Sequence, residues 1–199
     1  MVGDAQTRRR FARLLYALHW VDAQGLERIP AHGRVIIALN HSGVRGAMVL
    51  SHLMQRDMVM LGSVRFLRFW FVREFAQRLA VLFVSVADML SPRLYDEMDN
   101  VMHGGSMIGI MVPGRQMTQV QGVPKRGAVY LAYRLQADIL PISVIKIGLY
   151  VRIRVGHVLP RPRGISHQLL HQSYRAVCLQ LGIAPATGSL ARPYGKAKE

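Results

Sequence analysis

Gly33-Arg34-Val35-Ile36-Ile37-Ala38-Leu39-Asn40-His41 is the stretch that decides the fold. Its core is an unbroken apolar run closed by Gly33 on one side and Asn40 on the other. Such a run is what a strand buried on both faces requires, whereas a half-exposed strand would alternate. Working outward, a helix is expected over 46–55, a second strand over 57–62, a helix over 67–78 and a third strand over 81–86. Ser91-Pro92 is a helix start, a capping hydroxyl followed by proline at the first helical position. Leu94, Met98, Val101 and Met102 supply the apolar face of that helix, and Gly104-Gly105 ends it. A fourth strand (107–112) runs into a polar loop (113–122), a helix follows over 126–136, and two strands (139–147 and 149–158) flank Gly148. Ser166 caps a last helix whose Leu169, Leu170, Val177, Cys178 and Leu181 are expected to face inward, with Gly182 at its end.

This alternation of strand and helix predicts a single α/β domain with a mixed, largely parallel sheet flanked by helices. The chain divides into a basic amphipathic helix (1–20), the α/β body (21–183) and a mobile tail (184–199) rich in Gly, Pro and Lys. In the first segment Thr7 is placed to cap a helix from Arg8, and Phe11, Leu14, Leu15 and Leu18 recur at helical spacing. Such a helix can lie in a membrane interface or pack on its own domain, and both readings stand.

The formal net charge is +15 over 199 residues, with 51% hydrophobic residues. The hydrophobic share excludes a disordered body. The charge favours anionic partners, namely membrane surfaces, nucleic acid or phosphorylated substrates. Arginine outnumbers lysine, and the guanidinium group binds phosphate bidentately. The one cysteine, Cys178, has no internal partner for a disulfide, which points to a reducing compartment and a core role. The most apolar long stretch, 66–90, carries Arg68, Arg73, Glu74 and Arg78, so no transmembrane span is expected. The expected location is cytoplasmic, peripheral at the inner membrane surface.

The order of short blocks carries a resemblance. Asn40-His41 follows a strand and precedes a helix; Gly104-Gly105 and the 107–112 strand lead into Val112-Pro113-Gly114-Arg115-Gln116. Next come Val123-Pro124-Lys125-Arg126-Gly127-Ala128-Val129-Tyr130-Leu131-Ala132, then Ile139-Leu140-Pro141-Ile142, then Arg152-Ile153-Arg154-Val155-Gly156 with Pro160 beyond. Over residues 21–163 this resembles the PlsC-like lysophospholipid and glycerol-phosphate acyltransferase family, with its N-H-x4-D and F-P-E-G-T-R motifs. The resemblance implies that fold, an apolar groove for an acyl chain, and transfer of an acyl group from a thioester to a hydroxyl. It implies His41 as the general base. Asn40, Arg45, Pro113, Gly114, Arg115 and Lys125 would then bind substrate, with Arg126 adding positive charge. The implied donor is acyl-coenzyme A or acyl carrier protein, the implied partners are that donor and anionic membrane lipid, and no metal or bound cofactor is implied.

The chain departs from the family pattern in three places. Gly46 stands where the aspartate of N-H-x4-D would be, Gly114 follows Pro113 where a glutamate is usual, and the 83–87 strand carries no arginine. The carboxylate orients the histidine and stabilises its imidazolium, and its loss alone costs a triad enzyme about 10⁴ in turnover. Asp88 or Glu74 could replace it, or the fold could be a catalytically inactive acyl-binding relative that serves a protein partner. A basic nucleic-acid binder is a further alternative, although no RNP-like strand, zinc finger or helix-turn-helix is present and nucleic acid is not the expected partner. His167 and His171 stand four apart on one helix, but Gln168 replaces the glutamate of H-E-x-x-H and no third ligand is near in sequence, so no metal site is expected.

Overall fold

The computed structural model describes residues 5–40, 43–63, 81–84, 91–112, 127–164 and 166–182. Among the described residues seven strands form one sheet: β1 (Trp20–Gln24), β2 (Val35–Asn40), β3 (Met58–Ser63), β4 (Val81–Val84), β5 (Met107–Val112), β6 (Asp138–Ile147) and β7 (Tyr150–Val155), in the order β1-β7-β6-β2-β5-β3-β4. Only the β6–β7 pair is antiparallel, so β2 to β6 point one way and β1 and β7 the other. The helices are α1 (Ala5–Ala17), α2 (Gly43–Leu53), α3 (Pro92–His103), α4 (Gly127–Arg134) and α5 (His167–Gln180). The fold is thus a single α/β domain with a mostly parallel sheet.

β2 is the keel of this sheet. Val35, Ile37 and Leu39 pack on one face with Val49 and Leu50 of α2, while Ile36 and Ala38 pack on the other with α3, α4 and α5. Burying an aliphatic side chain of this size is worth about 1.5–3 kcal/mol, which is why the run cannot sit anywhere but at the centre. In β5 a side chain at Gly109 would strike the sulfurs of Met58 and Met60, so glycine lets β3 and β5 share the α2 face. Cys178 is buried beside Tyr174, and burial pushes its thiol up, as a core residue requires.

Several local expectations need correction. Thr7 lies inside α1, because the helix already begins at Ala5; alanine and glutamine extend it upstream at little cost. α1 packs on α2, but with Ala12 and Leu15 inward and Leu14 and Leu18 exposed. α2 starts three residues ahead of its expected position, at Gly43, and β7 stops at Val155. Ser91 precedes α3 as expected, yet its hydroxyl makes no cap bond; its carbonyl accepts from the Leu94 N–H at 3.1 Å. Ser166 does cap α5, accepting from the Leu169 N–H. Leu169 itself is exposed: the inward stripe is Leu170, Tyr174, Val177, Cys178 and Leu181, and Leu169 sits about 100° behind it. The edge strand β1 is an addition, since no strand was expected before residue 34. The expected helix over 67–78, the loop 113–122 and the tail 184–199 lie outside the described residues.

Candidate functional site

The sheet register places the two sequence blocks of interest side by side. β2 and β5 are neighbouring parallel strands, and their last paired residues are Asn40 and Val112. His41 therefore leaves β2, and Pro113 leaves β5, from strand ends about 4.8 Å apart. The carboxyl ends of adjacent parallel strands are where open α/β sheets hold ligands.

Asn40 is bound on its other flank to β6. Its Oδ1 accepts the Val144 N–H at 2.6 Å, and its Nδ2 donates to the Ser143 Oγ at 3.2 Å. Both capacities of the amide are thus used in holding the end of β2 to β6. Ser143 was not singled out in the sequence; nothing local marks it, since its partner lies 103 residues away.

After Asn40 the chain turns into α2, whose first turn holds Arg45, exposed, and Gly46, buried. That turn contains no acidic residue. The amino end of a helix carries unpaired N–H groups and a partial positive charge, so an anion is favoured here. On the β5 side, α4 begins at Gly127, where a side chain would come within 3.4 Å of Ile110 Cδ1. The close approach seats the start of α4 against β5.

Of the sequence-derived site residues, the structure brings Asn40 and Arg45 to the same strand–helix junction. His41, Pro113, Gly114, Arg115, Lys125 and Arg126 lie outside the described residues, as do Glu74 and Asp88. Among the described residues no group of three or more His, Cys, Asp and Glu side chains could hold a metal ion. Among the same residues no helix is long and apolar enough to cross a membrane.

A family model described as Acyltransferase matches residues 21–145. No curated protein matches the chain. Among solved structures, the crystal structure of the 1-acyl-sn-glycerophosphate (LPA) acyltransferase PlsC from Thermotoga maritima matches with a TM-score of 0.60 at 15% identity, covering 89% of this chain and 78% of that one. At that identity the likeness speaks to the fold alone.

Proposed function

Because the chain belongs to the acyltransferase family, we propose that it moves an acyl group from a thioester donor to a lysophospholipid-like or other lipid acceptor at a membrane surface. The donor is acyl-coenzyme A or acyl carrier protein. His41 takes the proton of the acceptor's hydroxyl as the oxygen attacks the thioester carbonyl. The tetrahedral adduct then collapses, the C–S bond breaks, and the thiolate leaves and is protonated. Arg115, Lys125 and Arg45 neutralise the acceptor's phosphate. The observation that carries this reading is the Asn40–Val112 register, because it starts the His41 and Pro113–Arg115 segments from neighbouring strand ends.

A second reading keeps the groove and gives up the chemistry. It is favoured by the α2 first turn, which offers no carboxylate to orient His41. The two readings separate on one experiment: transfer from a labelled acyl thioester to lysophospholipid, amino-lipid and alcohol acceptors by the wild type and His41→Ala. Turnover that disappears in His41→Ala supports the enzyme. A wild type that binds donor but is inert on every acceptor supports the binding relative, and no donor binding at all would sink both.

A further inference from the structure

The antiparallel end of the sheet, on the side opposite α1, carries a second surface. Trp20 of β1 pairs with Tyr150 of β7, and Tyr150 pairs with Ile147 of β6. Directly paired residues point to the same face, so the three side chains form one row across the strands. The row is open to solvent: Trp20 is 82% exposed and Ile147 70%. Gly148, at φ 58°, lets β6 turn into β7 in two residues and puts Leu149, 66% exposed, at the tip.

One row inward on the same face lie Asp22, Arg152 and Ile145, and the next row holds Arg154 and Ser143. Ser143 is the partner of Asn40. Along β6 the side chains of Ser143, Ile145 and Ile147 therefore run on one face from the candidate site to the apolar row. That is four residues, or about 13 Å.

We infer that this row and hairpin tip form a docking surface for an anionic lipid bilayer. An exposed Trp and a half-buried Tyr beside exposed aliphatic side chains suit the boundary between headgroups and acyl chains. Lys146 next to the tip and a net charge of +15 complement anionic headgroups, while Arg152 behind the row is paired with Asp22. The inference rests on the proposed function for its purpose, but membrane binding is read apart from turnover, so either can fail without the other.

The test is flotation of the full chain with vesicles of phosphatidylcholine alone and with phosphatidylglycerol added, for the wild type, Leu149→Glu and Ile147→Glu. Both positions are exposed, so thermal melting should match the wild type and rule out misfolding. The wild type should bind the anionic vesicles, and each variant should lose about tenfold or more in partitioning. Binding to neutral vesicles should be weaker by a similar factor, and salt should weaken the anionic case. Transfer to a water-soluble acceptor should be unchanged in the variants. Equal flotation of wild type and variants would overturn the inference. So would a wild type that sediments as a dimer, ignores vesicles and becomes monomeric with Leu149→Glu, which would make the surface a contact between two copies of the chain.

Discussion

Asn40 accepts the backbone N–H of Val144 at 2.6 Å, a bond between the last residue of β2 and a strand about a hundred positions later in the chain. It fixes the backbone one residue before His41. Asn40 is also paired with Val112 on the other side, so the junction is held from β5 and β6 together.

Replacing Asn40 by Ala should therefore act through position more than through binding. The Val144 N–H loses its partner, the β2 end loosens, and a misplacement near 1 Å costs about 10²-fold in rate. The expected signature is a fall in kcat with KM nearly unchanged. Asn40→Asp keeps an acceptor for Val144 and should retain more activity than Asn40→Ala. Ser143→Ala, which removes only the 3.2 Å bond, should be the mildest of the three. Steady-state kinetics on the three variants would check the order; a KM effect alone would contradict it.

Gly46→Asp tests the missing orienter. The position is buried in the first turn of α2, where the helix dipole also favours a carboxylate. Turnover should rise by at least about tenfold, toward the roughly 10⁴ that an orienting carboxylate supplies in a triad. The rise should vanish in the double variant with His41→Ala. No gain from Gly46→Asp would mean that another group already holds the imidazole.

The parts of this architecture legible in the sequence are those whose pattern is set by burial. β2 and β5 are continuous apolar runs because both faces are covered, and the Gly104-Gly105 stop and the Gly148 turn mark backbone that must bend. β1 is not legible because Trp20-Val21-Asp22-Ala23-Gln24 is short, at the edge and mixed in character. The phase of α1 is half legible: four apolar residues recur at helical spacing, but only the packed structure separates Leu15, turned in, from Leu14 and Leu18, turned out. The Asn40–Ser143 contact was not legible, since no local pattern encodes a pairing across 103 residues.

The pH dependence of stability should carry a mark of Asp22. The hydrogen bond from Arg154 holds its carboxyl below the usual carboxylate range, with burial working against it and Tyr150 and Arg152 adding to it. A lowered folded value means that the unfolded chain takes up the proton first as pH falls. Asp22 thus contributes stability above the ordinary carboxylate pKa of about 3.9, and that contribution fades as pH drops through the lowered folded value. In denaturant titrations the gap between wild type and Asp22→Asn should be full near pH 6 and close in acid. A gap that is constant with pH would assign the effect to packing instead.

Arg56 clamps the opposite end of the strands whose carboxyl ends form the candidate site. Its Nη2 donates to the Gly33 carbonyl at 2.8 Å, its Nη1 to Pro30 at 3.1 Å and its Nε to Gly105 at 3.0 Å. Gly33 lies just before β2 and Gly105 just before β5, so one planar fork ties together the starts of the two strands that end at Asn40 and Val112. A lysine has no such fork, and a methionine fills the space without donating. Arg56→Met should cost about 2 kcal/mol, lowering Tm by roughly 4–8 °C in a chain of this size. Arg56→Lys should recover less than half of that. Because the clamp is remote from the junction, KM for the acyl donor should stay within about twofold of wild type in both variants at a temperature where they are folded. A large KM change without a fall in Tm would place Arg56 in the substrate path and overturn its assignment as a clamp.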